Sequence, residues 1–334
     1  MKHRFKSGWG YQILLAINAN FVIIFLLILM DRKKFFTRIK RGIGYIALLL
    51  SSLTCRLLPL KLIYFLGNNF SILGYRLARK QRRIALESLG IAFGREKSNG
   101  QIKRIALDCF RFMGKSGLEL MYLMEKPALL KKRVDLEGRE YLDKALAKGK
   151  GVILVTAHFG NFPLMLCRLS LEGYKVSGVM RFMRDAQAEK LFYKKRSQMG
   201  IKTIYSKPQK ECTEKCLKTL RNNELLFLLI DQHFGSGGGV FVDFFGTKAA
   251  TAPGPVVLAL RTKAAILPCF IIRQKDDTHK IIFEPEMSLE QAEDYAQTLQ
   301  VNIQRLTNII EAYIRKYPAE WGWIHRRWKI NQVQ

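Results

Sequence analysis

Short apolar runs alternate with amphipathic stretches along the chain from residue 134 onwards. The apolar runs are rich in Val, Ile and Leu and predict strands at 151–157, 175–180, 201–205, 224–230, 266–273 and 279–284. Helical spacing between them predicts helices at 138–148, 162–172, 185–199, 209–222, 253–263 and 290–316. Because such alternation builds a sheet covered by helices, we expect the α/β class, with a layered mixed sheet flanked by helices.

The chain is strongly basic, and the excess is concentrated near its start. Its 334 residues include 56 Lys and Arg against 27 Asp and Glu, a formal net charge of +29. Residues 1–100 hold 18 basic and 3 acidic residues, interleaved with apolar runs at 43–50 and 57–66. Apolar burial and attraction to anionic lipid add together at a bilayer surface, so a membrane is the expected partner. No zinc-finger spacing or RNP-like aromatic pattern occurs in the sequence, and nucleic acid is therefore not expected as a partner.

An uncharged apolar segment at residues 11–30 is long enough to cross about 30 Å of hydrocarbon as a helix. We therefore predict a membrane anchor at 1–34 and a basic helical membrane-associating region at 35–133. Helices in that region are expected to break near Pro59 and Gly67, and residues 101–126 carry a helical pattern of their own. The basic cluster after the apolar segment is heavier than the one before it, which predicts that the main domain, 134–334, faces the cytoplasm. Met30 would also serve as a translation start, and residues 35–80 alone would then hold the membrane.

The six cysteines are scattered along the chain, mostly in apolar or helical surroundings. This pattern is typical of reduced thiols. Cys212 and Cys216 have a spacing that two metal ligands on a helix can have, but without further ligands that spacing is a weak signal. We expect no disulfide, no metal site and no cofactor.

His158 stands where the first of these predicted strands ends. It follows the apolar run 151–157 and precedes Gly160 and Asn161, a pattern that predicts a turn before the next helix. In α/β proteins the loops at the carboxyl ends of strands carry the chemistry, and a neutral imidazole can act as a general base near physiological pH. His158 is therefore a candidate catalytic base, and the alternative is a histidine that only caps the turn.

Four separated segments follow one another in an order and spacing that resemble a known family. They are residues 156–161, 179–181, 231–232 with 242–246, and 323–329. Together they resemble the late acyltransferases of lipid A biosynthesis, within the lysophospholipid acyltransferase-like group, over roughly residues 40–330. The resemblance implies a bacterial inner-membrane enzyme in which His158 deprotonates a hydroxyl of a lipid acceptor. The oxygen then attacks the thioester of an acyl carrier protein or coenzyme A.

The sequence departs from the family pattern at Pro163, where the family has a carboxylate that orients the histidine. Proline suits the first turn of a helix, but it cannot balance an imidazolium. Asp231 is the candidate replacement, because it ends the apolar run 225–230 and is expected at the same sheet edge as His158. The alternatives are a loop-capping aspartate and a catalytically altered, lipid-binding relative that transfers no acyl group.

The resemblance brings further residues into the predicted site. Arg181, which follows the strand 175–180, is a catalytic candidate that would stabilise charge on the thioester oxygen, and its alternative is a solvated surface arginine. The candidates for substrate binding are Gly160, Asn161, Phe245, Gly246, Arg326 and Arg327. The two arginines suit an anionic headgroup at a membrane interface, although a merely basic carboxyl-terminal segment and, for Phe245, simple core packing are alternatives. His233 is a secondary candidate for the base.

Direct transfer to the acceptor is the expected reaction type. Hydroxyls are poor nucleophiles at neutral pH, and a positioned base typically contributes about 10²- to 10⁴-fold in rate. The sequence contains no Gly-x-Ser-x-Gly elbow that would form a covalent acyl-enzyme. We therefore expect an acyltransferase that acts on a lipid A precursor or a related anionic lipid, and a hydrolase that releases the acyl group to water is the weaker alternative.

Overall fold

The computed structural model describes residues 57–183, 185–235 and 238–328, together with Gly42 and Ile46. The chain divides into two units, Met1–Leu50 and Ser51–Gln334, and the three described ranges belong to the second. The predicted anchor at 1–34 lies outside the described residues. None of the helices in the described ranges has the length and apolar character that crossing a bilayer requires.

Within residues 57–133, four helices precede the first strand. They are α1 (Leu60–Leu77), α2 (Arg79–Phe93), α3 (Asn99–Met124) and α4 (Pro127–Arg133). Pro59 directly precedes α1, as predicted, but the predicted break at Gly67 is wrong, because α1 continues through that residue. Gly67 is required by packing instead: a Cβ there would lie 2.9 Å from the Cα of Lys115 on α3. The glycine thus lets two helix backbones approach closely.

Nine strands follow in the described ranges, and seven of them form one sheet. They are β1 (Val134–Glu137), β2 (Val152–Thr156), β3 (Val176–Met180), β4 (Lys202–Tyr205), β5 (Leu225–Leu229), β6 (Val240–Phe244), β7 (Thr247–Thr251), β8 (Ala265–Arg273) and β9 (His279–Phe283). The large sheet has the order β1-β9-β8-β2-β5-β3-β4. Its strands are parallel from β8 to β4, while β9 runs antiparallel to β8 and parallel to β1. This mixed sheet confirms the predicted α/β class, and each of the six predicted strands is present with its ends shifted by at most one residue.

The remaining helices flank the sheet. They are α5 (Arg139–Leu146), α6 (Pro163–Leu171), α7 (Ala186–Gln198), α8 (Gln209–Arg221), α9 (Gly254–Thr262) and α10 (Tyr295–Lys316), followed by a short 3₁₀ helix at Pro318–Glu320. The start of α10 falls later than predicted because Asp294 caps it, accepting a hydrogen bond from the backbone N–H of Gln297.

Strands β6 and β7 form a separate hairpin that the sequence pattern did not predict. Phe245 and Gly246 both have positive φ, 55° and 69°, and form its two-residue turn. The hairpin is fastened to α10, since the backbone N–H of Asp243 donates to Gln304 Oε1 at 2.8 Å and that of Phe245 donates to Glu311 Oε2 at 2.6 Å. The hairpin therefore packs on the last long helix and forms no part of the sheet.

Strand β2 lies at the centre of the sheet, between β8 and β5, and all five of its residues are buried. It runs parallel to β5 in a register that places Thr156 opposite Leu229. Residues two positions beyond this pair therefore emerge side by side at the carboxyl edge. Those residues are His158 and Asp231.

Candidate active site

His158 and Asp231 lie in direct contact at the carboxyl edge of the sheet. The Nδ1 of His158 is 2.8 Å from Oδ1 of Asp231. The backbone N–H of His158 donates to the other carboxylate oxygen, Oδ2, at 2.9 Å. Since a carboxylate only accepts hydrogen bonds, Nδ1 must carry a proton, and Nε2 of a neutral ring is left with a free lone pair. One aspartate therefore fixes both the position and the tautomer of the histidine.

Burial and charge act in opposite directions on this pair. The side chain of Asp231 has no exposed surface, whereas 35% of the His158 side chain is exposed. Burial alone would lower the pKa of His158, but the charge of Asp231 and the hydrogen bond to it outweigh burial and raise the pKa above its ordinary value. Burial would likewise raise the pKa of Asp231, yet the neighbouring His158 lowers it well below its usual range. Asp231 is therefore ionised at neutral pH, next to a histidine whose pKa it raises.

Trp321 is a third member of the site, and the sequence reasoning did not identify it. Its indole N–H donates to Oδ2 of Asp231 at 2.8 Å. The segment around it pairs with the turn after β2: Gly322 N–H donates to the carbonyl of His158 at 3.0 Å, and Gly160 N–H donates to that of Glu320 at 2.9 Å. A buried indole N–H needs a partner, but the burial of Trp321 is a tertiary property that the sequence does not report. The segment after α10 thus completes the surroundings of Asp231.

Further side chains surround the imidazole of His158. The side-chain nitrogen of Gln232 lies 3.2 Å from Nε2, the ring atom that Asp231 leaves free. Phe162 contacts the ring edge-on with centroids 5.2 Å apart, and the ring of His325 lies at 6.1 Å. His325 packs against Trp321, and burial lowers its pKa below the ordinary value despite the charge of Asp231. A neutral second histidine therefore stands behind the first.

Gly160 and Asn161 shape the turn after His158 from inside the protein. Gly160 has φ of 61°, and a Cβ there would lie 2.0 Å from the carbonyl oxygen of Ile271. Asn161 is buried, and its side-chain amide donates to the carbonyl of Ser116 at 3.1 Å and to Glu119 Oε2 at 3.0 Å. The predicted substrate contact of Asn161 is therefore not supported, because its amide hydrogens are already used inside the fold.

Glu119 is the centre of a buried polar cluster behind this turn. Its carboxylate accepts hydrogen bonds from Tyr64, from Arg273 Nη2 at 2.5 Å and from His279 Nε2 at 2.9 Å, besides that from Asn161. Burial alone would raise the pKa of Glu119, but the hydrogen bonds from His279 and the charge of Arg273 lower it to about 2. The cluster joins α1, α3, β8 and β9 to the turn that carries His158.

Arg327 is not available to a headgroup, contrary to the prediction for it. Its side chain is 1% exposed, and its guanidinium donates to the carbonyl of Ala250 at 2.6 Å and to Thr251 Oγ1 at 2.5 Å. It also reaches the carbonyl of Gln232 at 3.4 Å. Burial lowers the pKa of Arg327 to about 10. Arg326, its neighbour, is exposed, so one of the two predicted arginines is free to meet solvent or ligand.

Phe245 and Gly246 occupy the hairpin turn. Phe245 is buried against Phe93 and Trp323, with ring centroids 5.2 and 6.2 Å apart. This packing corresponds to the alternative considered for Phe245, and it explains the residue without a ligand. Gly246 is exposed at the tip of the turn. At Phe245, a candidate for substrate binding, the structure thus has a packed aromatic core.

Arg181 lies at the same sheet edge as Asp231, since it follows β3, the strand beside β5. Its side chain is exposed and makes no hydrogen bond or ion pair within the described ranges. The structure therefore brings His158 and Asp231 together. Arg181 follows the next strand beyond that of Asp231 and has no hydrogen-bond or ion-pair partner among the described residues.

The chemistry available at this edge is that of a base with an acid behind it. Among the described residues no cluster of His, Cys, Asp or Glu has a geometry that could hold a metal ion. The neutral imidazole of the partly exposed His158 side chain can take a proton from a hydroxyl at Nε2, and the ionised carboxylate behind it stabilises the resulting imidazolium. The arrangement suits proton abstraction from an alcohol.

Comparison with known proteins identifies a family whose sequences match this chain. A family described as bacterial lipid A biosynthesis acyltransferase matches residues 30–330. A lipid A biosynthesis palmitoleoyltransferase of Escherichia coli (strain K12) is 25% identical over 284 residues, covering 83% of this chain and 88% of that protein. A lipid A biosynthesis myristoyltransferase of the same strain is 22% identical over 77% of this chain and 78% of that protein.

A more distant group of relatives carries a different name. A phosphatidylinositol mannoside acyltransferase of Mycolicibacterium smegmatis is 24% identical over 200 residues, covering 60% of this chain and 64% of that protein. The relatives thus share acyl transfer and differ in the acceptor that their names state. Because the family match extends over most of the chain, this protein is an acyltransferase that belongs to the bacterial lipid A biosynthesis acyltransferase family.

Proposed function

We propose that this protein is a membrane-associated acyltransferase that moves a fatty acyl chain from an acyl carrier protein or coenzyme A thioester to a lipid A precursor or related anionic lipid. His158 is the general base, and Asp231 orients it. The observation that carries the proposal is the two-point contact between Asp231 and His158, which leaves Nε2 unprotonated on a side chain that is partly exposed. Asp231 thus orients the imidazole and balances its charge, which Pro163 cannot do.

The reaction follows from this tautomer. Nε2 accepts the proton of the acceptor hydroxyl as the hydroxyl oxygen attacks the thioester carbonyl. The carbon–sulfur bond of the resulting tetrahedral intermediate then breaks, and the thiolate takes the proton back from Nε2. Asp231 remains ionised throughout, because its charge is what stabilises the imidazolium.

A lipid A precursor is the favoured acceptor because the relatives with the broadest coverage of the chain are named for lipid A biosynthesis. The exposed Arg181 and Arg326 support an anionic acceptor, since guanidinium groups bind phosphate bidentately. Carrier protein and coenzyme A present the same thioester chemistry. Both donors belong to the cytoplasm, which agrees with a catalytic domain on the cytoplasmic face of the bacterial inner membrane.

Helix α1 supports the association with a membrane. Ile63 and Gly67 face inward, whereas Phe65 and Phe70 are 63% and 64% exposed, and Leu77 is 71% exposed. Basic residues stand beside this apolar face, at Arg76, Arg79 and Lys80. Exposed aromatic side chains next to basic ones are typical of a surface that enters the headgroup region of an anionic bilayer.

The test is mass spectrometry of total lipids from a deletion strain and from the same strain carrying the gene. The deletion strain should accumulate a lipid that lacks one acyl chain, and the intact gene should restore it. The gene with His158→Ala should fail to restore it. The gene with His233→Ala, at the secondary candidate for the base, should restore it. The opposite result for these two variants would assign the base to His233.

An assay in purified membranes separates transfer from binding. The lipid extract of the deletion strain serves as acceptor, and labelled acyl carrier protein and coenzyme A thioesters serve as alternative donors. Transfer by the wild type that is lost in His158→Ala is the expected result. Binding to vesicles of the extract without transfer from either donor would instead establish the non-catalytic lipid-binding alternative.

A further inference from the structure

The reactive nitrogen of His158 is already occupied in the structure. Asp231 holds Nδ1, and the side-chain amide nitrogen of Gln232 lies 3.2 Å from Nε2. Because Nδ1 carries the proton, Nε2 of the neutral ring can only accept a hydrogen bond, and the amide must be the donor. The acceptor hydroxyl of the proposed reaction needs this same lone pair. Gln232 therefore stands where the hydroxyl has to bind.

The backbone of Gln232 is held firmly while its side chain stays at the surface. The residue directly follows Asp231, whose carboxylate is fixed by His158 and Trp321. Its own carbonyl accepts a hydrogen bond from the buried Arg327 at 3.4 Å. Its side chain is exposed, so it can rotate away from Nε2 without opening the core.

We propose that Gln232 is a catalytic residue of this acyltransferase, whose amide caps Nε2 in the resting site and, once the hydroxyl displaces it, donates to the thioester oxygen as that oxygen becomes negative. The inference rests on the proposed role of His158 as base. A hydroxyl that gives its proton to Nε2 must lie within about 3 Å of it. The displaced amide is then beside the attacking oxygen and within reach of the carbonyl under attack.

Gln232 exchanges no proton in this scheme. The hydroxyl proton moves to Nε2, the oxygen–carbon bond forms, and the electron pair of the carbonyl moves to its oxygen. The amide N–H of Gln232 donates to that oxyanion. When the carbonyl re-forms, the carbon–sulfur bond breaks, and the leaving thiolate takes the proton from Nε2. The side-chain amide of Gln232 then donates again to the lone pair of His158 Nε2.

The capping hydrogen bond has a signature in the pH profile. An N–H donor at Nε2 stabilises the neutral imidazole only, because the imidazolium carries its own proton there. Among the described residues, the titratable groups facing His158 are Asp231 from the end of β5 and His325 from the segment after α10. Neither is changed when Gln232 is replaced. Loss of the amide should therefore move the acid limb of kcat/KM to higher pH.

The experiment compares Gln232→Met and Gln232→Glu with the wild type, using the full chain in purified membranes with acyl carrier protein thioester and the deletion-strain lipid extract. Removing one oxyanion donor costs about 10²- to 10³-fold in kcat, and we expect Gln232→Met to lose on that order with a smaller change in KM. The acid limb should move upward in Gln232→Met. It should move further in Gln232→Glu, where a carboxylate accepts a hydrogen bond from protonated Nε2. Gln209→Met, an exposed glutamine at the start of α8, is the matched control and should behave as wild type.

The outcomes separate this inference from the proposed function. If His158→Ala is inactive but Gln232→Met keeps the wild-type kcat and pH profile, the role of Gln232 is wrong and that of His158 stands. If His158→Ala keeps full activity, both are wrong. A fall in kcat with an unmoved acid limb in both Gln232 variants would also overturn the capping role. Because the side chain is exposed, thermal unfolding midpoints of the variants should match the wild type.

Discussion

Asp231 and His158 follow adjacent strands, and the register between β2 and β5 sets their distance. Pro163 opens α6 and leaves the first turn of that helix without a carboxylate near His158. Asp231 contacts both the ring and the backbone of His158. A proline in the helix is therefore compatible with a paired histidine, because the orienting acid is supplied by β5.

Replacement of Asp231 by Asn should leave the fold intact and remove the charge. We expect kcat to fall by about 10²- to 10⁴-fold, since neither the tautomer of His158 nor its imidazolium is then stabilised. Asp231 is what raises the pKa of His158 against the effect of burial, so the acid limb of kcat/KM should move to lower pH. Asp243→Asn, in the exposed hairpin, is the control. An unchanged pH profile in Asp231→Asn would contradict the assignment.

Glu119 should matter for stability more than for chemistry. Glu119→Gln leaves Arg273 buried without its full counter-charge, and we expect a loss of about 3–5 kcal/mol in the free energy of unfolding at neutral pH. The pKa of Glu119 is lowered from 4.5 to about 2, so its contribution is complete above pH 4.5 and is lost as the pH falls through that window.

Chemical denaturation at several pH values would test this expectation. The wild type should lose more stability than Glu119→Gln between pH 4.5 and about 2. Glu87→Gln, whose glutamate pairs with Arg83 on the surface of α2, should follow the wild type. Parallel curves for wild type and Glu119→Gln would mean that Glu119 titrates normally in the folded protein.

Only the site residues that directly follow a predicted strand could be identified from the sequence. His158 and Asp231 each follow a continuous apolar run, and parallel strands bring such positions to one edge. Trp321 and the contact of Gln232 depend on how the segment after α10 folds back, which no local pattern reports. Arg327 was expected at the surface because its charge is visible in the sequence, whereas its partners on β7, the carbonyl of Ala250 and the hydroxyl of Thr251, are not.

At the scale of elements, helices α1 and α3 are joined through small residues. A Cβ on Gly67 would lie 2.9 Å from Lys115 Cα, and one on Gly114 would lie 1.8 Å from Ser71 Oγ and 3.0 Å from the carbonyl oxygen of Gly67. Ser71 in turn donates to that same carbonyl at 2.5 Å. The two helices can keep this spacing only while these positions lack side chains.

Gly114→Ala should therefore destabilise the protein, by about 1–3 kcal/mol, because the new methyl group displaces Ser71 or separates the helices. Gly117→Ala is a matched control on the same helix, since nothing lies within 4 Å of its Cβ position. There the change should stabilise the helix by up to about 1 kcal/mol. Thermal unfolding of the two variants should move in opposite directions. Equal shifts would contradict the close contact.

The elements themselves were predictable to different extents. Strands β2 and β8 are continuous buried apolar runs, and such runs can be recognised in the sequence directly. Strand β1 was missed because two of its four residues are acidic, so that no apolar run marks it in the sequence. The hairpin was missed because its aromatic side chains pack on Phe93 of α2 and on Trp328 after α10, which are distant in the chain. Gly67 was interpreted as a break because its tertiary role cannot be seen in the sequence.

At the scale of the whole molecule, the apolar face of α1 and the basic surplus of the chain both favour an anionic bilayer. Full burial of a large apolar side chain contributes about 1.5–3 kcal/mol to the free energy of transfer out of water. Each Phe on this face would contribute part of that amount on entering the bilayer. Association should therefore weaken when the face is made polar. It should also weaken with rising salt, because attraction between exposed charges is screened.

Phe65→Ser combined with Phe70→Ser should lower transfer to acceptor lipid in anionic vesicles by about tenfold or more, while transfer to the same lipid in detergent micelles stays near the wild type. The comparison of the two assays isolates membrane contact from chemistry. Tyr295→Ser, at an exposed aromatic residue that begins α10, is the control. Equal losses in vesicles and micelles would show that the two phenylalanines stabilise the fold instead.

The hydrogen bond from Trp321 to Asp231 joins residues that are 90 positions apart in the chain. During translation, Asp231 and His158 leave the ribosome well before the indole that holds them. A nascent chain therefore carries an unfinished site, and acyl transfer can begin only after synthesis has passed Trp321. Proteolytic removal of the segment beyond α10 should for the same reason abolish activity.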